Sequence, residues 1–404
     1  MISTSRAVPG RVRGTVGATF LMMNASIGGA FAFTVTSGTA HFQVETSTYL
    51  LALTFWLVAG AVSMPFIGRL VSRFGVRRVS LPCGLVCAAC LTGMALAPNV
   101  ETFFVCSALI GVPWSGCAVM PSTTLTTGWW DGHPHRGLAV GIVAASAGVG
   151  GVLWGFLTPY AIALGGYRLG MLSLAASVLL LVVVGGLVCV VDPPRATDPA
   201  DASGRAAPPP RARVDLRAVG PIAVGALFAG SAVVLSVILG TILEHSGLDS
   251  SLIPLAFAIN SVGVIVVGPL LGAAHDRLGF GWMLGIIAIV EVAVIPFIVI
   301  LPYLAPLLLL VVLPLSTLAL NFAPTVLPLA VSRVVPSASY AANYGIVSSG
   351  LTSGTAIGAP LWGLVLDRSG SYDLAIWLSI PLGLASFAIV GAAVRRAGRR
   401  AAAP

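Results

Sequence analysis

The chain has 404 residues, of which 57% are hydrophobic and 8% charged, and it carries a formal net charge of +8. So little charge cannot cover the surface of a soluble domain, so a water-soluble fold is excluded. The positive balance invites a nucleic-acid partner, but its placement along the chain argues against that.

Apolar runs of about 20 residues, the length that crosses a bilayer as helix, recur from end to end. Twelve spans are read, at approximately 14–37, 47–67, 79–97, 102–125, 137–161, 169–191, 219–243, 251–273, 282–301, 305–330, 343–366 and 372–394. The runs are unbroken rather than alternating, which specifies helices and not a barrel. Arg6, Arg11 and Arg13 precede the first run, as in a signal peptide. That run is too long for a signal core and lacks an obvious small-residue cleavage site, so it is read as a retained span.

After span 2 comes Pro65-Phe66-Ile67-Gly68-Arg69-Leu70-Val71-Ser72-Arg73-Phe74-Gly75. The same register returns 204 residues later, after span 8, as Pro269-Leu270-Leu271-Gly272-Ala273-Ala274-His275-Asp276-Arg277-Leu278-Gly279. Gly141-Ile142-Val143 in span 5 and Gly345-Ile346-Val347 in span 11 keep that offset. A chain that repeats at half its length is built from two similar membrane halves. Glycines at three- and four-residue spacing let helices approach closely, which suits an interface that opens and closes and equally suits static packing.

Between the halves, residues 192–217 hold Pro193, Pro194, Pro199, the Pro208-Pro209-Pro210 run and five arginines. Such a segment is read as a linker, a plain tether or one that also touches anionic lipid. The division is therefore 1–191, 192–217 and 218–404. With the N-terminus cytoplasmic, 19 of the 21 basic residues, all arginine, face inside, and only Arg168 and Arg368 face outside. That bias sets both termini in the cytoplasm and explains the charge without nucleic acid. Cys83, Cys87, Cys90, Cys106, Cys117 and Cys189 all lie in spans of the first half and are read as small packing residues rather than as ligands or a disulfide framework. His133 and His135 flank Pro134 after Trp129-Trp130, where a proline turn accounts for them more cheaply than a metal does. No phosphate loop, zinc motif or nucleophile arrangement is found, so neither an enzyme nor a cofactor is expected.

The span 2–3 loop, with Gly68, Leu70, Arg73, Gly75, Arg77 and Arg78, resembles the loop motif of the major facilitator superfamily. The resemblance covers the chain and implies an all-α membrane protein of twelve transmembrane helices in two pseudo-symmetric six-helix halves. In that family the loop latches the halves in the outward-facing state through a carboxylate at a helix end. By resemblance the latch set is Gly68, Ser72, Arg73, Gly75, Asp276, Arg277 and Gly279. Ser72 stands where the family has aspartate, while Asp276 keeps the acid, so the first-half latch is expected to be the weaker.

Arg136-Gly137-Leu138-Ala139-Val140-Gly141, Gly166-Tyr167-Arg168, Asn343-Tyr344-Gly345 and the Asp367-Arg368-Ser369-Gly370-Ser371-Tyr372-Asp373 stretch resemble the monocarboxylate and oxalate–formate type. That type tends to hold carboxylate with an arginine in span 8, sometimes helped by a lysine in span 11, and here neither span contains a basic residue. The polar residues within spans then become candidates: Asn24, Asn260 and Asn321 for substrate, with Trp114 and Tyr344, and also Trp56 and Trp154, as apolar walls. Interhelical hydrogen bonds and ordinary packing are the competing explanations. Glu291 in span 9 is the ionisable residue within a span and a candidate proton carrier, although the family places span 9 peripherally.

The expectation is a secondary carrier of a small organic solute, a monocarboxylate being the class the resemblance implies, working by alternating access. It would sit as a monomer in the plasma membrane, with a proton as candidate coupling ion. A multidrug-type efflux carrier of amphipathic compounds and a non-transporting membrane sensor are the alternatives.

Overall fold

The computed structural model describes residues 4–194, 214–237, 249, 252–369 and 373–402. Most of the expected linker (195–213) and the far end of span 7 (238–243) lie outside the described residues, as does 370–372 of the motif after span 11.

Span 1 is Thr4–Ala25, prolonged by the short helices Ile27–Ala30, Phe31–Thr34 and Val35–Phe42. Spans 2 and 3 are Thr46–Phe74 and Val76–Leu96. Span 4 is Val100–Ser115 and, after a break, Val119–Trp129; it starts where the Asn99 side chain accepts the Thr102 N–H at 2.9 Å. Spans 5 and 6 are two helices within Arg136–Val178, separated where Gly165 leaves helical geometry and Gly166 takes φ +66°. A π-helical stretch, Leu179–Val184, and Gly185–Cys189 complete span 6.

In the second half, span 7 is Leu216–Val237, span 8 Ile253–Leu278 and span 9 Phe280–Leu304. Span 10 runs through Leu309–Leu320, the π-helical Phe322–Val326 and Leu327–Val334. Spans 11 and 12 are Tyr340–Ser369 and Asp373–Ala402.

The repeat read in the sequence is a repeat of backbone geometry. Gly75 (φ +89°, ψ 163°) and Gly279 (φ +90°, ψ 168°) each end one span and start the next. A side chain is strained at such a φ, which is why glycine recurs there. The N–H of Gly75 donates to the Val71 carbonyl at 2.9 Å, and that of Gly279 to the His275 carbonyl at 3.0 Å.

Within the first half, Phe31 and Phe103 stack on Tyr49 at 5.4 and 4.9 Å between ring centroids. Two buried tyrosine hydroxyls here are paired: Tyr49 with Thr34 at 2.9 Å, and Tyr167 donating to the Met94 carbonyl at 2.9 Å. Large apolar side chains also cover the outside. Val62, Phe66 and Ile289 are 65%, 59% and 70% exposed. A belt of this kind is stable only against lipid tails, so the chain is a multi-pass membrane protein.

Candidate transport path and gate between the halves

Two helix pairs join the halves: span 5 with span 8, and span 2 with span 11. Gly137 packs on the Gly272 backbone and Gly141 on that of Gly268. At the offset of 204, Gly68 packs on the Ala341 carbonyl and Gly345 on the Met64 carbonyl. A Cβ at Gly68 would lie 2.5 Å from that oxygen, and one at Gly345 2.6 Å. The missing side chains therefore set how closely the backbones approach. Inside each half the symmetry holds too, with Gly150 on Met23 in span 1 and Gly354 on Leu227 in span 7.

These contacts close the end of the bundle near Gly75 and Gly279. Span 1 enters from this end, where Arg13 donates to the Val188 carbonyl at 2.8 Å and Trp129 Nε1 to the Val191 carbonyl at 2.7 Å. Here Asp276, in the last turn of span 8, accepts the N–H of Gly137 and that of Leu138, each at 2.8 Å. Those are the first free amides of span 5, where the helix end favours negative charge. In the matching place Ser72 Oγ accepts one N–H, that of Ala342 in the first turn of span 11, at 3.1 Å.

The remaining partners differ from the family expectation. Asp276 touches His275 Nδ1 at 3.0 Å, and no arginine lies within ion-pair distance of it among the described residues. Arg277 is exposed, and Arg73 lies over its neighbour Phe74, 5.1 Å from the ring centroid.

Three contacts at this end were not read from the sequence. The Val76 N–H, at the start of span 3, donates to the Asp192 carboxylate at 2.6 Å. Asn343 accepts the Asp215 N–H at 2.9 Å, and Asp215 in turn caps span 7 by accepting the Arg217 and Ala218 N–H groups. An acid just past an apolar run and one just before the next were the available signals.

Further along the same helix pairs lie the asparagines. Asn260 neighbours Ser261, whose Oγ and backbone carbonyl face Gly151 and Gly148 of span 5. Its carboxamide oxygen is buried without a partner. Asn24 donates to the Cys117 carbonyl at 2.9 Å, and Asn321, at the start of the π-helical stretch, donates to the Thr317 carbonyl at 2.9 Å. A carbonyl can only accept, so these bonds fix which way both amides point. The oxygens of Asn24 and Asn321 are left buried and unpaired.

Trp114 meets Trp56 edge-on at 4.9 Å and borders Gly28, while Phe33 of span 1 meets Phe257 of span 8 at 6.0 Å. Trp154 is buried and its indole N–H has no partner.

Two candidates sit elsewhere. Tyr344 is 1% exposed and stacks on Tyr340 at 5.4 Å, within the span 11 turns that meet Gly68 and Ser72. Glu291 is buried with its carboxylate against Gly383 of span 12, because the glycine leaves room there. It does not face either helix pair that joins the halves.

His133 and His135 form the expected turn, the His135 N–H donating to His133 Nδ1 at 3.2 Å. Burial, with Arg11 and His135 nearby, holds the His133 imidazole below its usual range. The described cysteines are free.

The family model of the Major Facilitator Superfamily matches residues 14–234, more than half of the chain. The chain belongs to this superfamily. It is thus a transporter by family and not an enzyme. The solved structure of the major facilitator proton:xylose symporter XylE bound to 6-bromo-6-deoxy-D-glucose superposes with a TM-score of 0.68. That match is 16% identical and covers 95% of both chains, a likeness of fold alone. No curated protein sequence matches the chain.

Proposed function

We propose that this superfamily member is a secondary carrier of a small, neutral, hydroxyl- or amine-bearing organic solute. The two halves, 1–191 and 218–404, rock about the span 5–8 and span 2–11 contacts, alternately opening either end. The observation that carries this reading is the set of unpaired carboxamide oxygens on Asn24, Asn260 and Asn321. Buried acceptors without donors are costly, and a solute with O–H or N–H groups satisfies them.

A monocarboxylate, the class suggested by resemblance, has less support. It is itself an acceptor, and the apolar runs 251–273 and 343–366 of spans 8 and 11 hold no arginine or lysine to offer it. The Trp56–Trp114 and Phe33–Phe257 pairs favour a second reading, an efflux carrier of amphipathic compounds. Under the arginine bias the closed end is cytoplasmic, the state is outward-facing, and the protein is a plasma-membrane monomer with both termini inside.

Counterflow in proteoliposomes tests this, with a panel of polyols, sugars, neutral amines, carboxylates and cationic dyes, with and without a pH gradient. Saturable counterflow of a neutral hydroxylated solute is expected. Flux of carboxylates alone, or of dyes alone, overturns the solute class. Ligand binding without flux establishes a sensor in place of a carrier.

A further inference from the structure

The closed end holds a cavity of about 280 Å³ beside Asp276. Both halves build its wall. His133 and Arg136 come from the segment between spans 4 and 5, and His275, Asp276, Ser332 and Arg333 from spans 8 and 10.

The carboxylate in the wall is already engaged, since its oxygens take the Gly137 and Leu138 N–H groups and contact His275. The cations are less well matched. Arg136 reaches Asp131 through one terminal nitrogen at 3.2 Å, and its Nε is buried without a partner. Arg333 is exposed, lies over the Phe280 ring at 5.6 Å, and has no carboxylate within ion-pair distance among the described residues. Counting Asp131, the two arginines and two carboxylates balance, but Arg333 and the second terminal nitrogen of Arg136 keep guanidinium N–H groups that can take an oxyanion.

His275 adds a chemical restriction. It is 9% exposed, and its Nδ1 is held at 3.0 Å from a carboxylate, which places the ring proton on that nitrogen. Nε2 is left as a buried acceptor without a partner. An anion that also carries an O–H, as hydrogenphosphate does, satisfies both the arginines and this nitrogen. A carboxylate or chloride satisfies only the arginines.

We propose that this cavity is a binding site for a phosphate group, bridging Arg136 of the first half and Arg333 of the second and holding this end of the carrier shut. A ligand touching both halves binds the closed state and not the open one, so it must shift the population toward closure. At ten times its dissociation constant the shift is about elevenfold. A phosphate free in solution and one carried on a lipid headgroup share this chemistry.

The test uses the full chain in nanodiscs of neutral phosphatidylcholine, titrated with inorganic phosphate against chloride at constant ionic strength. Thermal stability reports binding, and the distance between spin labels at His135 and Ser337 reports closure. The expected result is a saturable rise in melting temperature together with growth of the short-distance population. Arg333→Gln melts like the parent without phosphate but binds phosphate at least tenfold more weakly, and Arg333→Lys recovers most of the affinity. Discs containing phosphatidic acid identify the source. If they stabilise the parent and remove the response to free phosphate, the headgroup is the ligand. If they do neither, the soluble anion is. A parent response no larger than with chloride, or an equal phosphate response in Arg333→Gln, overturns the site. Neither failure touches the carrier reading, because no readout is flux.

Discussion

Ser72 and Asp276 occupy equivalent positions, 204 residues apart, and hold equivalent helices unequally. Asp276 accepts two backbone N–H groups at the start of span 5, whereas Ser72 accepts one at the start of span 11. Leu138 and Ala342, the donors common to both, are themselves 204 apart. The charge on Asp276 also interacts favourably with the helix end, which a serine hydroxyl cannot match.

Exchanging these residues tests the asymmetry. Ser72→Asp adds a charged cap worth about 1 kcal/mol and enlarges the population closed at this end about fivefold. Asp276→Ser moves it about as far the other way. Spin-label distances across the closed end read both, and no change in either variant would show that the caps do not set the equilibrium.

The glycine contacts limit how the halves meet. Gly141→Val and Gly345→Val each press a side chain onto a facing backbone, at Gly268 and Met64. Overpacking of this kind costs about 1–3 kcal/mol and falls on the closed state. Both variants are expected to favour the open arrangement and to bind phosphate less tightly. An unchanged distance distribution would argue that the helices part without strain.

Glu291 bears on proton coupling. With its carboxylate against Gly383, away from the helix pairs that join the halves, Glu291→Gln should transport with the parent's pH dependence. Gly383→Ala should instead lower stability, by about 1–3 kcal/mol, because a methyl group intrudes on the carboxylate. Loss of pH-driven uptake in Glu291→Gln, with exchange retained, would make Glu291 the proton carrier.

Asn260→Ala removes an unpaired acceptor beside the span 5 contact. Flux of the transported solute should fall at least tenfold while the melting temperature holds within a few degrees, since the oxygen has no protein partner to lose. Retained flux would place the solute elsewhere.

The frame of the molecule was legible because its constraints are local. Gly75 and Gly279 mark backbone conformations that only glycine adopts readily, and the twelve apolar runs follow from bilayer thickness. The inequality of Ser72 and Asp276 was visible for the same reason. What depends on distant partners was not. Span 9 is apolar on every side, so no periodicity shows that Glu291 turns toward Gly383. Nor does the sequence show that Tyr344 stacks on Tyr340, a partner four residues away whose ring orientation depends on the packing around both. The π-helical turn after Asn321, which goes with the amide's orientation, has no signature in the apolar sequence around it.

Alternating access is tested most directly by paired distances in a cysteine-free background. One spin-label pair, His135 with Ser337, spans the closed end; a second, Pro98 with Leu304, spans the opposite end. Adding the transported solute should shift the two distances in opposite directions, one end opening as the other shuts. Distances that change together, or that stay fixed while solute is being carried, would contradict the account.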